Sequence, residues 1–142
     1  MVVCTIGFAK KNLKEFIARL KSAGVKKIID VRLNNTSQLA GYAKKEDLEY
    51  ILSLVGIEYE HRLEFAPTEE LLKNFKNKKI SWTEYEQEFS KILFKRDPSR
   101  NKNIHKGAVC LLCSEDNANE CHRRLIAEYY FMDKPKVKII HL

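Results

Sequence analysis

The chain has 142 residues, 44% apolar and 32% charged, with 26 Lys and Arg against 19 Asp and Glu and a formal net charge of +7. That length predicts a single domain, residues 1–142, large enough to bury a core without disulfides or metal. No apolar run approaches the ~18 residues of a transmembrane helix, which excludes a membrane-spanning segment and predicts a soluble globular protein.

Val2 to Phe8 is a short apolar run, read as a first strand rather than a signal peptide, since it has no basic lead-in and no small-residue cleavage site. Leu13, Phe16, Ile17 and Leu20 recur at helical spacing, and Gly24 ends that helix. Val25 to Val31 is continuous enough to be a strand buried on both faces. Leu33 to Tyr42 is polar and loop-like. Leu48, Ile51, Leu52 and Val55 make a second helical stripe closed by Gly56, and Ile57 to His61 reads as a third strand.

Thr68 caps a helix carrying Leu71, Leu72 and Phe75. Ser81 and Glu84 form a capping box for the next, with Trp82, Tyr85, Phe89, Ile92 and Leu93 on one face. This helical insertion, about residues 68–96, is expected to pack over one edge of the sheet or to lid a pocket. Asp97 to Lys106 is a charged loop and Ala108 to Cys113 a fourth strand. The last long helix starts at Asn117 or Asn119, runs through Tyr129 and Met132, and is broken by Pro135 before a final strand, Val137 to Leu142. Strands alternating with helices predict an α/β, three-layer Rossmann-like domain around a mostly parallel sheet of about five strands.

Polar residues then fall at the carboxyl ends of the strands: Thr5 and Gly7 on the first, Asp30 and Arg32 on the second, Tyr59, His61 and Arg62 on the third, and Cys113, Ser114 and Glu115 on the fourth. Ligands of open α/β sheets bind at that edge. Asp30 is a general base or an orienting carboxylate there, or it simply pairs with Arg32. Arg32 and Arg123 suit a phosphate, since cations in a helix's first turn are favourable when an anion binds at that terminus. A carboxylate from Glu115 or Glu120 would also satisfy Arg123.

Cys113 and Cys121 bracket the turn into the last helix, where a thiol becomes more acidic, and His122 can serve as its base. Cys110 and Cys113 are not read as a zinc pair. A strand-like Leu111-Leu112 spacer sets their Cα atoms about 10 Å apart with the side chains on opposite faces. Cys110 is therefore a core thiol, and no metal-ligand set and no cofactor is assigned. Trp82, Tyr85 and Phe89 are read as core rather than as a base-stacking platform. Four cysteines without a secretory lead predict free thiols in a cytoplasmic protein.

Thr5-Ile6-Gly7, Asp30-Val31-Arg32, Gly56-Ile57-x-Tyr59, and Leu112-Cys113-x-Glu115 with Cys121-His122-Arg123 together resemble the domain of unknown function 488 family across nearly the whole chain. The resemblance implies a small α/β domain with a polar site at those motifs, and no settled activity. The chain departs from the family pattern at Phe8-Ala9, where a histidine-serine pair is usual. Leu33-Asn34-Asn35-Thr36-Ser37 stands where a proline commonly follows, and Leu63-Glu64-Phe65 in place of a Leu-Gly-Gly segment.

Three readings stay open. The first is an enzyme binding an anionic ligand, a nucleotide or a nucleic acid, at the carboxyl edge of the sheet and hydrolysing or transferring at a phosphoryl or N-glycosidic bond. Its catalytic candidates are Asp30, Glu115, Cys113, Cys121 and His122. Its ligand-binding candidates are Thr5, Gly7, Arg32, Tyr59, Ser114 and Arg123. The second is a non-catalytic nucleic-acid- or protein-binding module using the basic surface, with the Cys-His-Arg cluster as an anchor. The third is a thiol-based redox or sulfur-transfer protein.

Overall fold

The structure, a computed structural model, describes residues 2–35, 41–96, 108–115, 117–131 and 137–142. The charged loop after residue 96 and the helix break at Pro135 lie outside the described residues. Five strands are formed: β1 (Val2–Gly7), β2 (Val25–Asp30), β3 (Glu58–His61), β4 (Ala108–Cys113) and β5 (Lys138–His141). Five helices join them: α1 (Leu13–Ser22), α2 (Lys45–Leu54), α3 (Glu69–Lys76), α4 (Trp82–Arg96) and α5 (His122–Phe131). The sheet order is β3-β2-β4-β1-β5, and each neighbouring pair is parallel. No helix among the described residues is long and apolar enough to cross a membrane.

Side-chain parity on the strands sorts the apolar residues into two cores, because successive residues of a strand point to opposite faces. Cys110 and Leu112 of β4 join Cys4 and Ile6 of β1 under Phe16 and Leu20 of α1 and Leu48 and Leu52 of α2. Val109, Leu111 and Cys113 join Val3, Ile29 and Val31 under Tyr85, Phe89 and Leu93 of α4 and Leu125 and Ile126 of α5. The sheet is thus covered on both faces in three layers. The 68–96 insertion does not sit over a sheet edge. It shares a face with α5, since the apolar face of β2 and β4 beside α5 needs a cover of its own.

The helix ends follow local chemistry. The Asn12 side chain accepts from the Glu15 amide at 2.8 Å and Thr68 from Leu71 at 3.2 Å. Ser81 and Glu84 bond reciprocally as a capping box, at 3.1 and 3.3 Å. Gly24 and Gly56 close α1 and α2 at φ of 69° and 74°. The start of α5 differs from expectation. The Asn117 side chain accepts from the Asn119 amide at 2.8 Å, which makes a separate turn, and the helix begins only at His122. This delay brings the start of α5 back over the end of β4.

Candidate functional site

β4 is the middle strand, and its end is held from both sides. The Val31 amide donates to the Leu112 carbonyl at 3.1 Å, Phe8 to Cys113 at 3.3 Å and Ala9 to Ser114 at 2.9 Å. The crossovers change side here: α1 leaves β1 on one face of the sheet and α5 leaves β4 on the other. Such a point opens a crevice at the carboxyl edge. A cavity of about 340 Å³ lies there.

Cys113, Ser114, Cys121, His122 and Arg32 line the cavity from the sheet side, and Glu115 and Glu120 stand exposed on its loop side. The insertion supplies the opposite wall, from Leu72, Phe75 and Lys76 of α3 and Trp82 and Tyr85 of α4. Trp82 stacks on Tyr85 with centroids 4.9 Å apart. Its indole N–H donates to Glu86 at 3.1 Å, and Glu86 also holds Arg124 of α5. The aromatic residues expected only as core therefore have two roles. Phe89 is core, while Trp82 and Tyr85 also face the cavity. The sequence signal for this wall was the aromatic spacing behind the Ser81 cap.

Cys113, Cys121 and His122 are buried, and their ligand atoms all lie within 4.8 Å of one another. The Nε2 of His122 sits 2.7 Å from the Val31 carbonyl, an acceptor, so Nε2 carries the proton. The Cys113 sulfur lies beside the ring, 3.6 Å from Nδ1 and 4.0 Å from Nε2. The neighbouring Cys121 thiol, with His122, holds the Cys113 thiol well below its ordinary pKa despite burial. Cys121 is pushed up by Cys113 in turn, and burial adds to the rise. Burial works against a charged His122, but the neighbouring Cys113 and the Val31 carbonyl outweigh it and raise its pKa. Among the described residues these three are a group able to hold a metal ion, a set that linear spacing did not present because Cys113 is separated from the other two by the loop. Cys110 points into the opposite core, as strand parity requires.

Asp30 lies beside this cluster and is closed off. Its carboxylate accepts from Arg32 Nε at 2.9 Å and Nη2 at 2.8 Å, from the Arg32 amide at 3.1 Å, and from the Tyr59 hydroxyl at 2.5 Å. Asn35 donates to the same carboxylate at 3.4 Å and to Tyr59 at 3.2 Å. Burial alone would raise the Asp30 pKa, but the Arg32 fork and Tyr59 bring it below the ordinary value. The Tyr59 hydroxyl rises in turn, through burial and its bond to Asp30. This is the geometry of an orienting carboxylate. It uses two of Arg32's donor groups, and the remaining Nη1 is buried without an acceptor while the guanidinium lies 5.2 Å from the Phe8 ring centre.

The other residues marked in the sequence act as supports. Thr5 Oγ lies 2.6 Å from His141 Nδ1 and ties β1 to β5. Arg123 is fully buried and donates through Nη1 to the Glu115 carbonyl of the β4–α5 loop. Gly7 lets that loop pass, since a Cβ there would lie 1.5 Å from the Glu115 oxygen. Thr5, Gly7, Asp30, Tyr59 and Arg123 are not among the residues that line the cavity.

The model of the family described as domain of unknown function DUF488 matches residues 12–130. The chain belongs to the DUF488 family. No curated protein and no solved structure matches the chain. The DUF488 match takes in β2, α5 and the whole insertion, and so includes the Asp30 and Cys113 clusters and both walls of the cavity.

Proposed function

We propose that this DUF488 protein is an enzyme that takes one nucleotide-sized ligand into the cavity and hydrolyses or transfers a phosphoryl or N-glycosidic group beside Cys113, Cys121 and His122. One observation carries this reading: three buried, chemically versatile side chains share the lining of a cavity of about 340 Å³. That volume falls at the small end of ligand sites, which run from about 300 to 1,000 Å³. The wall of Phe75, Trp82 and Tyr85 suits a planar ring.

The source of positive charge changes from the one offered by sequence. Asp30 engages Nε and Nη2 of Arg32 and the Glu115 carbonyl receives Arg123, so Lys76 on the rim and the free Nη1 of Arg32 are offered to a phosphate. Glu115 is the acid/base candidate on the rim. In either hydrolysis a P–O or C–N bond breaks, the new bond forms to the oxygen of water, and the water's proton ends on the leaving group. A nucleotide ligand and four free cysteines fit a cytoplasmic protein.

Calorimetric titration of the reduced protein with nucleoside mono- and diphosphates, with assays for released phosphate and free base, tests the proposal. The expected result is saturable binding that Trp82→Ala weakens about 10-fold, the size of one lost ring stack. Cys113→Ser should keep binding and lose turnover. Wild-type protein that binds no nucleotide at millimolar concentration overturns the reading. A second reading, thiol redox or sulfur transfer, is favoured by the Cys113 and Cys121 sulfurs lying within 4.8 Å of each other. It predicts that glutathione redox buffers interconvert the two thiols and a disulfide, detected by mass.

A further inference from the structure

We propose that Cys113, Cys121 and His122 form a zinc site whose fourth position opens on the cavity. The placement of the donors argues for it first. The three ligand atoms lie within 4.8 Å of one another, and the Cys113 sulfur is 3.6 Å from His122 Nδ1. Zinc bonds sulfur at about 2.3 Å and imidazole nitrogen at about 2.0 Å, so a tetrahedral S–Zn–N edge spans about 3.5 Å. The two donors stand at that separation, and the sulfur, which also lies 4.0 Å from Nε2 beside the ring, turns toward the Nδ1 lone pair on binding an ion.

The far side of the imidazole is the second argument. Nε2 of His122 donates to the Val31 carbonyl at 2.7 Å, which leaves Nδ1 as the unprotonated nitrogen able to ligate. Ligating histidines are held in this way, with the second ring nitrogen bonded to a carbonyl or carboxylate. The Val31 carbonyl owes its position to β2, whose end is fixed by the Val31–Leu112 hydrogen bond and the Asp30 cluster. Cys113 and the Val31 carbonyl that holds His122 would therefore rest on central strands, while Cys121 ends the β4–α5 loop.

Charge and donor type narrow the ion. Two thiolates and a neutral imidazole around a divalent cation make a neutral set, which suits a buried position. Sulfur with imidazole selects zinc over magnesium or calcium, which prefer oxygen. Three protein ligands are the number found where zinc keeps a position for water or substrate, whereas purely structural sites use four. All three donors line the cavity, so a water or a ligand oxygen can complete the shell. The metal site itself rests only on the three donors, and its meeting with a bound nucleotide rests on the function proposed above.

The test uses the full chain, purified without a metal-affinity step and kept reduced. Elemental analysis should find about one zinc per chain. The metal-stripped protein titrated with cobalt(II) should develop thiolate-to-cobalt charge-transfer absorption and intense visible bands of a tetrahedral site, saturating at about one equivalent. Cys121→Ser and His122→Gln should each weaken cobalt binding by about 100-fold or more, beyond the effect of losing a supporting group. Cys110→Ser, on the opposite face of β4, should leave it unchanged. Reduced wild-type protein with neither bound zinc nor the cobalt spectrum overturns the proposal, as does an unaltered spectrum in a folded Cys121→Ser variant. Nucleotide binding by a chain that binds no metal removes the zinc site and leaves the cavity reading. Metal binding without nucleotide binding does the reverse.

Discussion

Asp30 and Cys113 end adjacent strands of one sheet, and the groups around them differ in what their polar atoms have left to do. Around Asp30 the carboxylate meets two guanidinium donors, a backbone amide, a phenol and an amide side chain. Around Cys113 a thiol, a second thiol and an imidazole lie within 4.8 Å of one another and line a cavity. The first saturates its carboxylate, leaves Nη1 of Arg32 without an acceptor, and fixes the geometry of the β2 end. The second has capacity to bind or react. Burial and motif membership are common to both, so neither property separates a support from a reactive site. What separates them is hydrogen-bond saturation and access to space.

The largest effect on stability is expected at the closed cluster. Asp30→Asn leaves the buried Arg32 cation without its counter-charge and should cost about 3–5 kcal/mol in urea denaturation. Cys113→Ser in metal-free protein should cost about 1 kcal/mol, an ordinary core substitution. Equal costs for the two would erase the distinction between them. Gly7→Ala comes next. Its Cβ would collide with the Glu115 main chain, and overpacking of this kind costs about 1–3 kcal/mol. Because the displaced loop carries Glu115 beside the cavity, nucleotide binding should fall along with stability.

The smallest effect concerns pH. Asp30 has a lowered folded pKa, so its contribution is fully present above the unfolded carboxyl value of about 3.9 and is lost as pH falls through the folded value. Tyr59→Phe removes one donor from the carboxylate. It should cost about 1–3 kcal/mol at neutral pH and move the acid unfolding midpoint upward, since the folded pKa then lies closer to the unfolded one. Circular dichroism from pH 7 downward measures both. An unchanged acid midpoint would mean that Arg32 alone sets the Asp30 ionisation.

Much of the fold could be read from the chain before any coordinates. The apolar run Ala108–Cys113 is a strand buried on both faces, and Val25–Asp30 is buried from Ile28 onward while Lys26 stays exposed. The helix caps at Thr68 and Ser81 follow from a side-chain oxygen reaching an amide three residues on, a purely local event. The start of α5 was misplaced for a related reason. Asn117 does engage a nearby amide, but in a turn of its own, and a side chain that can serve either purpose does not announce which. The position of the insertion was left between two expectations, because helix patterning specifies an apolar face and not the surface that face will meet.

By itself the sequence determined the strand and helix pattern, the parity that sends Cys110 and Cys113 to opposite faces, and the gathering of polar residues at one sheet edge. These follow from short-range geometry: a period of two in strands, 3.6 in helices, and a shared direction for parallel strands. Only the tertiary structure decided which of those polar residues are supports and which face the cavity. Tyr59 arrives from β3 and Asn35 from the loop after β2 to complete Asp30, while α3 and α4 arrive to wall the space above Cys113. Hydrogen-bond saturation is a property of partners distant in sequence, and it exists only once the chain has folded back to bring them together.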